Sequence, residues 1–202
     1  MSKPGLVIGI TGGIATGKSS FARSLHQRVG GTLFDADKAS REWTDEAPEV
    51  QQALRAEFGE SIFFPTGELN RAALRGIIFG DNKKKRALEQ ILHPRIRRQW
   101  ATEAETSRQR GEIFLADIPL LYETEGETIC DRVVVVACSE QIQQERLVAR
   151  SALSLADARS IIASQMSLSE KISRADHLAW NNGPQSVLEF QAATFANFLT
   201  TH

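Results

Sequence analysis

Short apolar runs alternate with longer stretches of helical spacing along this chain. Leu6 to Ile10 is unbroken apolar sequence, and Phe21, Leu25 and Val29 follow it four residues apart. Thr32 to Phe34 is a second short run, closing at Asp35. Ile113 to Ala116 closes at Asp117, and Arg132 to Cys138 contains Val133 to Val136. His177 to Trp180 is a weaker run before Asn181-Asn182-Gly183. Runs without polar alternation mark strands covered on both faces, and helical patterns between them mark βαβ units and a parallel sheet.

From Ala47 to Gly111 the period is helical, with no strand candidate longer than Ile62-Phe63-Phe64. Pro48 suits a first helical turn, Val50, Leu54 and Phe58 follow, and Gly59 stops the pattern. Asn70 reads as an N-cap for Leu74, Ile77 and Ile78. His93-Pro94 interrupts, and Ile96 and Trp100 resume a helical face. The basic run Lys83 to Arg86 reads as a solvated helix face. Further on, Ser139 caps a helix carrying Arg146 and Arg150, and Ser154 to Asp157 has the form of a capping box with Asp in place of Glu. It opens a helix with Ala158, Ile161 and Ile162. Pro184 precedes an amphipathic helix with Val187, Phe190, Phe195 and Leu199, and Thr200 to His202 are expected to fray.

Chemistry enters at the first strand-to-helix junction. Gly12, Gly17, Lys18 and Ser19 stand at the spacing G-x-x-x-x-G-K-S, between an apolar strand and a helix, which is the context of a phosphate-binding P-loop. Glycines let backbone N–H groups close around phosphate oxygens, and the helix N-terminus adds free N–H groups and positive potential. Lysine at that position reaches the β- and γ-phosphates, and the Ser hydroxyl can hold Mg²⁺. The motif gives nucleotide binding without choosing a reaction.

Composition narrows the class. Charges of 24 and 25 leave a net of −1, which gives no global grip on nucleic acid. The two cysteines, Cys130 and Cys138, make neither a disulfide framework nor a C-x-x-C pair. No run approaches the ~20 apolar residues of a membrane span. The segment MSKPGLVIGI lacks signal-peptide form. The expectation is a soluble, cytoplasmic protein, a monomer or weak homo-oligomer, without nucleic-acid or membrane partners.

Other polar residues stand at predicted strand ends, where open α/β sheets collect ligands. Asp117 is placed like a second acidic group near Mg²⁺, and it also suits a loop or cap. Asp35-Ala36-Asp37 offers carboxylates at i and i+2, which can divide base and Mg²⁺-water duties or simply cap the next helix; spacing alone does not decide. Arg146 and Arg150, four apart, share one helix face and either close over a triphosphate or face solvent. No N-K-x-D guanine signature occurs. Asn181 and Asn182 suit an adenine edge, or a turn.

Taken together, ITGGIATGKSS, FDADKASREW, GELNRAALRGIIF, LHPRIR, DIPLLYE, DRVVVVACS, QERLVAR, SQMSLSEKISRAD and NNG resemble the dephospho-coenzyme A kinase family in order and spacing, over about Val7 to Pro184. The resemblance implies an α/β fold: a P-loop NTPase three-layer core with a parallel sheet, a helical substrate-binding insertion and a helical lid. The corresponding division is core at 1–46, 112–138 and 176–202, substrate domain at 47–111, and lid with flanking helices at 139–175. It implies transfer of the γ-phosphoryl of ATP to the ribose 3′-hydroxyl of dephospho-CoA, with Mg²⁺. Gly12, Gly13, Ile14, Ala15, Thr16, Gly17, Lys18, Ser19 and Ser20 would bind ATP, with Asn181 and Asn182 near adenine. Ser19 and Asp117 would serve the metal. Asp37 is the first choice of base beside Asp35, with Lys18, Arg146 and Arg150 also catalytic. Asp35, Arg41, Leu69, Asn70, Arg71, His93, Pro119, Leu120 and Leu121 would shape the acceptor site. Three departures stand out: Ala15-Thr16 for the usual Gly-Ser, Tyr122 for Phe, and Ala137-Cys138 where an acidic residue is frequent. Ala15 calls for negative φ, so the turn there is expected to differ.

Overall fold

The computed structural model describes residues 5–79, 81–151 and 154–201. Five strands, β1 (Val7–Gly12), β2 (Thr32–Asp35), β3 (Phe114–Asp117), β4 (Arg132–Ala137) and β5 (His177–Trp180), form one parallel sheet in the order β2-β3-β1-β4-β5. All five predicted strands are present, the weak one included. The chain splits into two compact units, Met1–Asp35 with Thr102–His202, and Ala36–Ala101.

In the sheet unit, pleating sorts the strand residues between faces. Ile8 and Ile10 of β1, and Val134 and Val136 of β4, join one core with Phe21 and Leu25 of α1 (Lys18–Val29) and Leu188, Phe195 and Leu199 of α9 (Gln185–Thr201). Gly9 points the other way, where an added Cβ would meet Leu121 and Cys130. Each fully buried Ile, Leu or Phe contributes roughly 1.5–3 kcal/mol, so both sheet faces are fixed by burial.

The last helix departs from expectation. Its buried stripe is Leu188, Ala192, Phe195, Ala196 and Leu199, whereas Val187 and Phe190 are 44% and 71% exposed. Leu188 starts the inward row, and Phe190, two residues on, lies about 200° around the helix from it. The helix also continues through Thr201, and His202 lies outside the described residues.

Three helices cover the stretch between β4 and β5: α6 (Glu140–Ser151), α7 (Leu155–Ala163) and α8 (Leu168–Ser173). Their caps follow the sequence signals. The Ser154 hydroxyl accepts from Asp157 N at 3.1 Å and donates to the Asp157 carboxylate at 2.6 Å. Ser167 accepts from Glu170 N in the same way, a second cap the sequence reading did not single out.

In the helical unit, α2 (Ala36–Glu46), α3 (Pro48–Phe58), α4 (Arg71–Ile78) and the first part of α5 (Asn82–Gln109) bury Val50, Leu54, Phe58, Ile62, Leu69 and Leu74. Asn70 caps α4 as predicted, its Oδ1 accepting from Ala73 N at 3.0 Å. Phe63 and Leu69 form a single antiparallel bridge. Lys84 pairs with Glu57 across 2.9 Å, and Asp81 caps the amides of Lys83 and Lys84, so the basic run is a structured, largely exposed helix start.

The expected interruption at His93-Pro94 does not occur, and α5 runs through Pro94 without a break. A mid-helix proline costs roughly 3 kcal/mol. Leu92, Ile96, Trp100 and Ala104, each four residues from the next and all buried, hold the helix on either side of it. Burial of one continuous face outweighs the lost hydrogen bond.

Candidate active site

The phosphate loop leaves the carboxyl end of β1, the central strand. A Cβ on Gly12 would collide with the Val136 carbonyl of β4, and one on Gly17 with the Asn181 carboxamide. Gly17 is also the N-cap of α1 at φ 91°, a left-handed residue with no side-chain acceptor of its own. No acid stands in the first turn of α1. That helix start therefore presents its free N–H groups with no anion supplied by the chain, which suits a phosphate.

Ala15 corrects the expectation made for it. It adopts φ 59°, the left-handed region a glycine would occupy, instead of shifting the turn to negative φ. This costs an L-residue roughly 1–2 kcal/mol. Its neighbours hold it there. The Arg146 guanidinium donates to the Ala15 carbonyl at 3.3 Å, the Thr16 carbonyl at 3.5 Å and the Asn181 carbonyl at 3.0 Å. Asn181 Nδ2 donates to the Thr16 carbonyl at 2.8 Å. Thr16 turns its own hydroxyl inward to the Gly13 carbonyl at 2.8 Å. Arg146 is thus half-buried and committed to the loop, while Arg150 one turn later is exposed.

Asn181 and Asn182 spend atoms within the chain. Asn181 is 6% exposed, and Asn182 Oδ1 accepts from Ser139 N at 2.8 Å. A cavity of about 510 Å³ opens among Ala15, Gly17, Ser20, Arg146, Arg150 and Asn181, continuing past Gly183 and Gln185. It brings Ala15, Gly17, Ser20 and Asn181, expected to bind the nucleotide, together with the two arginines of α6.

At the next strand ends stand the carboxylates. Asp35 and Asp117 are register partners of β2 and β3, and Ile10 of β1 pairs with Asp117 from the other side. Lys18 forms a buried ion pair with Asp117. Burial pushes the Asp117 carboxyl above the usual range, the Lys18 charge and hydrogen bonds from Lys18 and Ser19 oppose that, and the Asp35 charge adds to it. Ser19 and Asp117 thus offer adjacent hard oxygen donors, a set that fits Mg²⁺.

Residues Pro119 to Leu121 follow directly. The Pro119 carbonyl accepts from Thr11 Oγ1 at 3.0 Å and from Lys171 Nζ at 2.8 Å. Lys171 has no exposed side-chain surface and also pairs with Glu123 at 2.9 Å. Burial draws its pKa down, the hydrogen bond and charge of Glu123 hold it up, and the charge of Lys18 adds to the lowering. Leu121 is fully buried.

The remaining predicted residues belong to the helical unit. Asp37 lies in the first turn of α2 with Arg41 one turn on, both exposed. The Arg71 guanidinium donates to Thr44 Oγ1 at 2.8 Å and pairs with Asp45 at 2.9 Å, and its contact with the Arg41 carbonyl is 3.5 Å. Leu69 and Arg71 line a cavity of about 740 Å³ with Asp45, Arg55 and Glu68. His93 is half-buried in α5, and burial lowers its pKa.

Sequence reasoning missed Lys171, Glu123, Thr11, Gln143 and Gln165 as parts of this site. Lys171 and Gln165 lie inside the stretch SQMSLSEKISRAD, but nothing in spacing says that a lysine there is buried.

Comparison with known proteins agrees with the geometry. The sequence profile of the family described as dephospho-CoA kinase matches residues 6–186. A dephospho-CoA kinase of Bacillus licheniformis is 38% identical over 187 residues, covering 92% of either chain. A crystal structure of a Thermus thermophilus protein is 30% identical, with a TM-score of 0.78 over 99% of this chain and 100% of that one. A dephospho-CoA kinase structure from Campylobacter jejuni, 24% identical, shares the fold at a TM-score of 0.65 over 95% of each chain.

Proposed function

The chain belongs to the dephospho-CoA kinase family, and from that membership we propose that it transfers the γ-phosphoryl group of ATP to the ribose 3′-hydroxyl of dephospho-CoA, giving CoA and ADP. The observation that carries the phosphoryl-transfer reading is the buried Lys18–Asp117 pair beside an uncapped helix start behind Gly17. It presents a cation, a carboxylate and free N–H groups where a triphosphate needs them.

Gly12 to Ser20 receive the phosphates, and Lys18 exchanges part of its contact with Asp117 for the β- and γ-oxygens. Ser19 and Asp117 would hold Mg²⁺, whose charge would help neutralise the transferring group. Arg146 and Arg150, on the lid segment, add positive charge over the phosphates and exclude water, the competing acceptor. Asn181 and Asn182 border the adenine end. Asp37 takes the proton of the acceptor hydroxyl, with Asp35 as its neighbour in the chain. Arg41, Leu69, Asn70, Arg71 and His93 shape the acceptor side in the helical unit, and Pro119 to Leu121 border Asp117. Catalysis is then mainly positioning and electrostatics.

Among the described residues no helix is long and apolar enough to cross a membrane. Cys130 and Cys138 are free thiols, and burial pushes Cys130 up to about 12, so they fit a reducing cytoplasm. The test is ADP release from ATP and Mg²⁺ with and without dephospho-CoA, nucleosides and nucleotides as acceptors. Release stimulated by dephospho-CoA alone is expected. Stimulation by nucleosides or nucleotides instead would make the chain a different kinase on the same core.

A further inference from the structure

One residue of the phosphate loop is held through both of its backbone polar groups. The Ile14 N–H donates to Gln165 Oε1 at 2.9 Å, and the Ile14 carbonyl accepts from Gln143 Nε2 at 2.7 Å. A backbone N–H only donates and a carbonyl only accepts, so the partners themselves fix which way each carboxamide points. Gln143 sits on α6 and is 3% exposed. Gln165 sits in the turn between α7 and α8. The two glutamines therefore reach the same residue from different elements.

The next residue is the strained one. Ala15 at φ 59° holds a conformation that its Cβ resists. Such a residue persists only where its surroundings over-determine it. Arg146 and Asn181 secure the carbonyls on its C-terminal side. On its N-terminal side the loop is held by the two bonds to Ile14 and by the Gly13 carbonyl, which accepts from the Thr16 hydroxyl at 2.8 Å. The turn bearing Gln165 is anchored in its own right, because Met166 N donates to Glu123 Oε1 at 3.1 Å and Glu123 is held by Lys171. Lys171 also bonds the carbonyl of Pro119, two residues beyond Asp117. One scaffold thus supports both the phosphate loop and the loop after Asp117.

We propose that Gln143 and Gln165 are positioning residues for phosphoryl transfer: they hold the two peptide groups on either side of Ile14 so that Ala15 stays in the left-handed turn that a triphosphate must meet. The Ile14 N–H is spent on Gln165, so it is not among the amides left for phosphate. The proposal rests on ATP being the donor, and it separates from that reading because its first readout needs no nucleotide.

The experiment compares wild type with Gln165→Ala, Gln165→Glu and Gln143→Ala in the full chain, each also made with Ala15→Gly. Amide hydrogen exchange at Ile14 and Ala15 is followed without nucleotide, and steady-state kinetics with ATP, Mg²⁺ and dephospho-CoA come second. Gln165→Ala is expected to lose protection at Ile14 and raise the ATP KM about tenfold, the worth of one hydrogen bond, with kcat and the dephospho-CoA KM nearly unchanged. Gln165→Glu keeps an acceptor and is expected to keep the protection. Ala15→Gly removes the strain that needs support, so it is expected to return most of the lost ATP affinity. Gln165 lies in a turn and its variants are expected to fold, which keeps the test decisive should Gln143→Ala, at a buried site, unfold. Unchanged protection at Ile14 in Gln165→Ala, or an identical ATP KM penalty with and without Ala15→Gly, overturns the proposal. Absence of dephospho-CoA turnover in wild type would instead remove the functional reading and leave the exchange result to stand alone.

Discussion

The phosphate loop of the sheet unit and the residues proposed for the acceptor in the helical unit hold their charges in opposite ways. Around Gly12 to Ser20 several side chains and backbone groups are taken, Lys18 by Asp117, Thr16 by Gly13 and Asn181, Ile14 by two glutamines and Ala15 by Arg146, while the amides at the start of α1 are left for a ligand. In the helical unit Asp37 and Arg41 are exposed on α2, and the Arg71–Asp45 pair has 42% and 48% of its side-chain surfaces in water. A buried network fixes geometry but makes each member costly to remove, whereas exposed charges cost little to fold and are free to engage a ligand. The difference implies a nucleotide site built before ATP arrives and acceptor-side charges ordered largely by the acceptor.

The contrast breaks most visibly at Lys18. Lys18→Ala is expected to lower turnover by about 10²–10³ for loss of a charge on the transferring group. It also strands Asp117, so urea unfolding without nucleotide should show a loss of about 3 kcal/mol at neutral pH. The sign with pH follows from burial. With Lys18 gone, the folded Asp117 carboxyl lies further above its unfolded value, so the folded state binds the proton more readily. The deficit should therefore shrink as pH falls through that raised folded pKa. A deficit that is flat in pH or grows in acid would mean that Asp117 is not the stranded group.

Asp37→Ala sharpens the comparison from the other side. Asp37, the proposed base, is exposed and should be lost without structural penalty: kcat is expected to fall about 10²-fold or more, while ATP affinity and the unfolding midpoint stay at wild-type values. Unchanged kcat would remove Asp37 from the base role. Gly17→Ala comes next. A methyl group at φ 91° beside Asn181 should cost roughly 1–2 kcal/mol of stability and weaken ATP binding, read by calorimetry. Tolerance there would show the loop less fixed than its contacts imply.

The smallest effect concerns His177, whose ring lies between Phe195 and Phe198 at centroid distances of 4.6 and 4.8 Å. Burial lowers its pKa and the Arg132 charge assists. The unfolded chain then binds more protons below about pH 6.5, and stability falls as pH drops through that value. His177→Phe should flatten that part of the melting-temperature profile between pH 7.5 and 5.5. An unaltered slope would assign it to other groups, His93 among them.

Much of the sheet unit was legible because its strands are unbroken apolar runs and its turn carries a motif whose spacing has a single mechanical meaning. Asn70 and Ser154 announced their helices for the same reason: a cap is a local interaction between residues three apart. Pro94 and Phe190 misled because local rules were overridden by which face the rest of the molecule covers. Ala15 misled in another way. Its conformation is imposed by residues 128 to 166 positions away, Arg146, Asn181 and the two glutamines across Ile14, and no window of sequence contains them together. Lys171 is the plainest case, a lysine on a short polar helix that turns out to have 0% of its side chain exposed.

The most direct test follows the phosphoryl group itself. ATP labelled in the γ-phosphate is incubated with the protein, Mg²⁺ and dephospho-CoA, and the product is resolved by mass and by phosphorus NMR. Label recovered as a monoester on the ribose 3′-oxygen, in step with ADP formed, is the predicted result. Label recovered only as inorganic phosphate, at a rate indifferent to dephospho-CoA, would contradict the account.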